Sequence, residues 1–382
     1  MSIAERVSTE QAFAACQRLA TTHYENFSVL SWFLPRALRP HFSSVYAFCR
    51  HTDDLGDEAP SPLAVETAPK GLRPPNPSSR VPHPYRRSVG NQEQTPGTEG
   101  VGGTCAGAGA RGEAESAETQ FQQAPAAGGR FGGGTPSGAN LFACGVGAER
   151  LARLDAWEAD LRRCFGDDAA PEHPYLIALR ETIRRFDLPA EPFLRLIEAN
   201  RIDQRANRYP TYADLLRYCE RSANPVGRLV LMLYGYRDEE RGKLSDAICT
   251  ALQLTNFWQD VASDYHERGR IYLPVEDMAR SGCDEPTLAL GEATPAFRAL
   301  MGFEVERARA LFYKGLPLLA WLNGMPRRAV ALFALGGLEI LAAIERRDYD
   351  VFARRPTLSR RRKLWLMARV ALAQPGITKE SS

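Results

Sequence analysis

An all-α fold is what this sequence predicts, and three observations predict it. Apolar residues recur at spacings of three and four through most of the chain. Alternating strand patterns are nearly absent, as are strands joined by Asn-Gly or Asp-Gly turns. Two polar stripes interrupt the apolar pattern at helical spacing: Tyr46, Arg50, Asp53 and Asp57, and then Gln253, Asn256, Asp260 and Asp264. On a helix each set falls on one face.

Taken in order, the predicted helices begin with His41–Asp57, which carries the first stripe, followed by Leu151–Phe165. Pro192 sits just inside the first turn of Pro192–Gln204. Thr211 precedes Tyr212–Tyr234 with Asp214 three residues on, a variant of the capping box. Glu239–Ala262 bears most of the second stripe, and Pro295 opens Ala296–Leu322. Arg328–Arg346 holds the longest apolar stretch, Ala329–Ile344, which Gly336, Gly337 and Glu339 interrupt. It falls short of the ~20 residues a membrane span needs and reads as a buried core helix. The last helix, Leu358–Leu372, lies in the basic, amphipathic run RRPTLSRRRKLWLMARVALA. Its arginines suit either water or an anionic membrane surface.

Between about Ala59 and Gly147 the pattern fails. The segment is rich in Gly, Pro, Ser, Ala and Gln, and such a composition cannot bury enough apolar surface to offset its ordering entropy. We expect disorder or a loosely placed loop here, inserted in a single helical domain of residues 1–382. A tolerated insertion and a translated non-coding or frame-shifted stretch both fit it, ahead of a regulatory role.

Bulk properties narrow the function. The net charge of +2 over 382 residues gives no global field for nucleic acid. The eight cysteines form no CxxC pair and read as reduced thiols of a cytosolic protein, not as a zinc site. The N-terminal run has acidic residues and no apolar core, unlike a secretory signal.

Each stripe ends in two carboxylates four residues apart, which suits hard divalent cations. Mg²⁺ takes one or two carboxylates, keeps several waters, and completes its shell with substrate phosphates. Asp53 with Asp57 and Asp260 with Asp264 fit that role, with Asp54, Glu58, Gln253 and Asn256 beside them. Both carboxylate pairs follow apolar runs, VYAFC and ALQLTNFW, where an unpaired charge is costly. A di-iron centre would need Glu-x-x-His repeats, which the stripes lack. Arg50, Arg268 and Arg270 supply forks for phosphate oxygens, so ionisation of a diphosphate leaving group is the favoured chemistry. Phe27, Trp32, Tyr46, Phe48, Tyr218, Phe257, Trp258 and Phe333 are candidates to face a carbocation, or to serve as ordinary core.

YAFCRHTDDLGDE and LQLTNFWQDVASDYHERGRIYLP resemble the two aspartate-rich motifs of the squalene/phytoene synthase family, head-to-head prenyl synthases with an isoprenoid-synthase fold, a helical bundle around a central cavity. The resemblance runs from about Tyr24 to Asp57 and from Glu149 to about Ala373. It implies metal ligation by Asp53, Asp57, Asp54, Glu58, Asp260, Asp264 and Asn256. It implies diphosphate binding by Arg50, Arg270, Gln253 and Asn256, and catalytic roles for Tyr46, Arg50 and Tyr218, the last in YCERSANPVG. Two positions depart from the family: Asn224 stands where relatives keep glycine, and Gln259 where squalene synthases often carry arginine. These departures argue against a full two-step squalene synthase, and no reductase segment or C-terminal anchor is found, so no NADPH is expected.

ENFSVLSWFLP, RYPTYADLLRYCERSANPVGRLVL and NFWQDV look most like the bacterial hydroxysqualene synthase subgroup of hopanoid pathways. That implies several Mg²⁺ ions and conversion of presqualene diphosphate to hydroxysqualene. A sister synthase would supply the substrate, and a flavin-dependent enzyme would reduce the product. Asn224 then becomes a candidate to position the quenching water, or a kink residue shared with Pro225. Condensation of two farnesyl or other prenyl diphosphates uses the same ligands. A non-enzymatic assembly role, found among relatives lacking intact aspartate motifs, does not suit two intact ones. The expected location is the cytoplasm, with the C-terminal segment suited to peripheral contact with the inner membrane surface.

Overall fold

The computed structural model describes residues 7–22, 34–57, 139–167 and 169–372, with the backbone alone for 139–146. These residues belong to one compact unit of the chain, Met1–Ser61 with Ser137–Ser382. Among them the regular structure is helical: α1 (Thr9–Thr22), α2 (Arg39–Asp57), α3 (Ala139–Arg162), α4 (Pro174–Phe186), α5 (Glu191–Asp203), α6 (Tyr212–Ser222), α7 (Asn224–Leu233), α8 (Glu239–Arg268), α9 (Val275–Ser281), α10 (Glu285–Leu290), α11 (Pro295–Gly315), α12 (Leu318–Trp321), α13 (Gly324–Glu345) and α14 (Arg360–Leu372). An isolated parallel bridge joins Arg208 to Ile271. The all-α expectation is met.

The caps follow the chemistry of the sequence. Thr211 Oγ1 accepts from Asp214 N while the Asp214 carboxylate accepts from Thr211 N, closing a full capping box on α6. Pro192 and Pro295 lie in the first turns of α5 and α11. The run Tyr212–Tyr234, expected as one helix, is two. Pro225 has no N–H to continue the ladder, and the chain breaks at Ala223 (φ −119°, ψ −47°). Conversely, α8 extends past Ala262 to Arg268, where Gly269 (φ 64°) ends it in the left-handed conformation. Helix α3 begins at Ala139, twelve residues ahead of the expected start at Leu151, and ends at Arg162. The rest of the 59–147 insertion, Glu58, Phe27, Trp32 and Cys105 lie outside the described residues.

Two large apolar cores stabilise the bundle, and a smaller one seats α1 on α2 and α4 through Ala12, Cys16, Ala47 and Ala178. The first joins α2 to α3, α4, α5 and α7 through Phe48, Trp157, Leu176, Phe193 and Leu229. The second surrounds α8 with α6, α11 and α13 through Leu254, Trp258, Phe297, Phe312 and Ile344. At 30 residues α8 is about 45 Å long and forms the spine. Helix α11 packs tightly on it at Gly315, where a Cβ would meet Leu244 O at 2.8 Å. Helix α13, expected as a buried core helix, is only partly buried, with one side lining a cavity, and no helix of the described residues is long and apolar enough to cross a membrane. Of the eight cysteines, Cys16, Cys49, Cys164, Cys219, Cys249 and Cys283 are free thiols.

Candidate active site

The two stripes lie on α2 and α8, and α5 stands between them. Asn200 and Asp203, with Gln204 at the α5 C-cap, form a third polar stripe, spaced i, i+3, i+4. Asn200 Nδ2 donates to Asp53 Oδ1 at 3.1 Å. Gln204 Nε2 donates to the backbone oxygen of Gly56 at 2.9 Å. The approach of α5 to α2 depends on Gly56, where a Cβ would stand 2.6 Å from Asn200 Oδ1. The Arg150 guanidinium of α3 closes this corner with a 2.8 Å bond to Asp57 O.

Arginines connect the stripes. Arg268 lies 2.8 Å from Asp264 Oδ1 and 3.9 Å from Asp57 Oδ2. Arg270 reaches Asp57 Oδ1 at 3.0 Å and Asp203 Oδ2 at 3.7 Å. Tight backbone bonds hold Arg270 in place: Ile271 N donates to Asn207 O, and Val275 N to Tyr209 O, both at 2.9 Å. Asp260 pairs with Arg355, whose Nη2 donates to Oδ2 at 2.9 Å. Arg50 pairs with Asp54 at 2.5 Å.

The electrostatics record crowded negative charge. Asp53 is accessible to solvent but ringed by protein. Loss of hydration is the main cause lifting its carboxyl to about 7; Asp57 and Asp203 add to the rise, and the Asn200 amide and Arg50 oppose it. Asp203 is pushed up to about 6, by burial first, against Arg270 and the Tyr218 hydroxyl. Its Oδ1 is buried and has no hydrogen-bond partner. Asp264, 6% exposed, is likewise raised by burial to about 6, against the pull of Arg268. Burial disfavours the charge on Arg270, but Asp203, Tyr272 and Asp57 hold its pKa above the ordinary arginine value.

Tyr218 donates its hydroxyl to Asp203 Oδ2 at 2.8 Å. Burial, then the charge of Asp203, keeps its pKa well above that of an ordinary phenol, so it stays neutral. Beside it Phe257 and Tyr272 stack with centroids 3.8 Å apart, and Tyr209 stacks on Tyr272 at 5.7 Å. Of the other aromatic candidates, Phe48 and Trp258 are fully buried core, Tyr46 is half-buried against the first core, and Phe333 lines a cavity. That cavity, of about 510 Å³, is walled by Asn256 and Gln259 of α8, Phe333 and Ile340 of α13, and Leu366 and Met367 of α14. Gln253 is half-buried on the face of α8 one turn before Asn256. Asn224 is buried at the α6–α7 break and accepts from Thr250 Oγ1 at 2.9 Å. Gln259 donates to the Pro356 carbonyl.

Sequence reasoning missed Asn200, Asp203, Gln204, Arg355, Tyr209 and Tyr272. The first three were visible as a polar i, i+3, i+4 set in EANRIDQ. Arg355 lies 95 residues from Asp260, a separation no local pattern bridges.

Among the described residues no three His, Cys, Asp or Glu side chains stand close enough to hold a metal ion as arranged. The donor set nonetheless fits Mg²⁺: the acidic groups offer hard oxygen atoms, one Asp203 oxygen is unpartnered, and three carboxyls are raised, chiefly by burial and further by neighbouring carboxylates, so a cation would relieve them. Arginines hold several of these carboxylates and form the same forks with phosphate.

A helical bundle with facing acidic helices defines the isoprenoid-synthase class. The chain belongs to the squalene/phytoene synthase family, whose profile matches residues 20–73 and 143–362. It is similar to squalene synthase HpnC from Alicyclobacillus acidocaldarius, with 38% identity, 90% of this chain and 96% of that chain covered, and a TM-score of 0.63. It is also similar to the 15-cis-phytoene synthase of Synechococcus elongatus, 36% identical over 226 residues, 56% of this chain and 72% of that one. A dehydrosqualene synthase solved with a ligand shares the fold, at 22% identity and a TM-score of 0.65, over 95% of this chain and 96% of that one. The chain is therefore a prenyl diphosphate enzyme of isoprenoid biosynthesis.

Proposed function

We propose that the chain ionises presqualene diphosphate and directs the rearranged cation to capture by water, giving hydroxysqualene. The observation that carries this is the 38% identity to squalene synthase HpnC over nearly the whole of both chains. Bound Mg²⁺ would neutralise the departing diphosphate as a Lewis acid, held by Asp53 and Asp57 on one side and Asp260 and Asp264 on the other, with Asp54, Glu58 and Asn256 in support.

The remaining steps fall to the chain's own groups. Arg50, Arg268 and Arg270 turn their forks to the diphosphate once the carboxylates no longer need them, with Gln253 and Asn256 beside it. Tyr218, with its proton committed to Asp203, presents a phenol oxygen as an acceptor and does not act as a phenolate base. The Tyr209, Tyr218, Phe257 and Tyr272 rings form an electron-rich wall suited to a carbocation. The cavity between α8, α13 and α14 takes the hydrocarbon chain. Asn224 keeps its place as a candidate to orient the quenching water, acting through the Thr250 contact. Farnesyl diphosphate would reach this enzyme only after condensation by a sister synthase, and a flavin-dependent reductase would consume the product.

The phytoene synthase relatives favour a second reading, condensation of two prenyl diphosphates at the same ligands. The test is incubation with Mg²⁺ and presqualene diphosphate, farnesyl diphosphate or geranylgeranyl diphosphate in turn, without reductant. Hydroxysqualene from presqualene diphosphate carries the first reading. Phytoene or presqualene diphosphate as the product replaces it with the second.

A further inference from the structure

Helix α14 carries apolar residues on two faces, one more than closing a bundle requires. Leu366 and Val370 face inward, at 2% and 4% exposure, and the pair between Arg362 and Glu339 ties the helix to α13, with Nε to Oε2 at 2.9 Å. The opposite arc should be polar, yet it carries Leu364 and Leu372, 61% and 79% exposed, with exposed Ala368 between them and Trp365, 43% exposed, at its edge. Arg362 and Arg369 stack on Trp365, with their guanidinium carbons 4.2 and 5.2 Å from its ring centroid.

Basic groups rim this apolar arc. Residues 351–372 contain seven arginines and lysines and no acidic residue, in a chain whose net charge is only +2. Beside the helix lies a hollow of about 340 Å³ walled by Arg346, Arg347, Arg354 and Arg355 with Thr357 and Ser359. Arg355 and Thr357 also line the cavity that Asn256 walls at the active-site end.

We infer that the outer face of α14, with the arginine hollow beside it, is a docking surface for an anionic lipid membrane. Exposed leucines and an interfacial tryptophan would enter the head-group boundary, and the arginines would meet lipid phosphates. Nucleic acid would use the arginines but leave Leu364 and Leu372 in water. The position has a consequence for chemistry. Leu366 and Met367 line the cavity from within, so the membrane and the hydrocarbon cavity are separated by the width of one helix, about 10 Å. An oily product would leave into lipid without crossing water. This last point rests on the prenyl diphosphate reading; the docking itself does not.

The full chain is sedimented with vesicles of phosphatidylcholine alone or with phosphatidylglycerol. Binding to the anionic vesicles is expected, weakening as salt rises. Arg354→Gln with Arg361→Gln should reduce it about thirty-fold, and Leu364→Ser with Leu372→Ser at least ten-fold. All four positions are exposed, and unchanged melting of each double variant confirms the fold. Turnover of detergent-dispersed substrate should also be unchanged in these variants. A chain that turns over no prenyl diphosphate but still binds the vesicles refutes the functional reading and keeps the surface. No binding, equal binding to neutral vesicles, or a self-association that Leu364→Ser with Leu372→Ser abolishes would overturn the proposal.

Discussion

Asp203 is the residue on which the site turns. It holds the Tyr218 hydroxyl and one side of Arg270, and it is crowded by Asp57 and Asp264. Asp203→Asn should lower kcat about ten- to a hundred-fold, because it loosens Tyr218 and Arg270 and removes one negative charge from the donor set. Tyr218→Phe should lower kcat about ten- to a hundred-fold, since it removes the hydroxyl that Asp203 orients. An Asp203→Asn enzyme with normal kcat would remove the residue from the mechanism. The raised carboxyls also predict a proton count. Asp53 at about 7 and Asp203 and Asp264 at about 6 are partly protonated in the metal-free chain near pH 6, whereas metal ligation needs them ionised. Mg²⁺ binding at pH 6 should therefore release protons, and its affinity should rise with pH until about 7 and then level. Calorimetry in buffers of different ionisation enthalpy reads this directly; heats independent of buffer at pH 6 would contradict it.

At the scale of elements, the stripe helices were legible because helical spacing alone places Asp53 with Asp57, and Asp260 with Asp264, on common faces. The capping box at Thr211 and the prolines of α5 and α11 were legible for the same reason: each is a local rule. What no local rule shows is which helix stands between the stripes. Helix α5 was visible as a helix, but its role depends on packing against α2, and Gly56 permits that packing without announcing it. Helices α9 and α10, of seven and six residues, are too short for a period to declare itself. The break at Ala223 was written in Pro225 but outweighed by the apolar pattern on both sides. Gly56→Ala should push Asn200 off Asp53 and cost ~1–3 kcal/mol of stability. Adding Asn200→Ala should recover much of that stability but not activity, since the amide that orients Asp53 is then gone. A Gly56→Ala chain that melts and turns over normally would show that the helices are free to separate.

For the molecule as a whole, stability should depend on pH through a group far in sequence from both aspartate motifs. Glu304 of α11 is fully buried against Asp277 of α9, with Arg307 reaching Asp277 Oδ2 at 2.6 Å. Burial, then the Asp277 carboxyl, lifts Glu304 from 4.5 to about 8. Between those values the folded chain binds a proton that the unfolded chain does not, so this contribution is complete below about pH 4.5 and is lost as pH rises through about 8. Melting temperature should fall from pH 6 to pH 9, and Glu304→Gln should flatten that fall. An equal fall in the variant would place the pH dependence elsewhere.

The arginines that lie on the acidic stripes carry a last consequence. Asp57 and Asp264 share Arg268, Asp57 and Asp203 share Arg270, and Arg355 covers Asp260. The resting site is thus a set of closed internal pairs, and opening any pair frees one partner of each sign. A cation entering alone strands guanidiniums; a diphosphate entering alone strands carboxylates. Entering together, each satisfies what the other leaves behind, so the two ligands should be strongly synergistic, and by thermodynamic reciprocity to the same degree in either order. Titrating Mg²⁺ with and without inorganic diphosphate, and the reverse, should return the same coupling factor. A site built this way takes stray metal or stray phosphate only weakly, and takes the pair tightly.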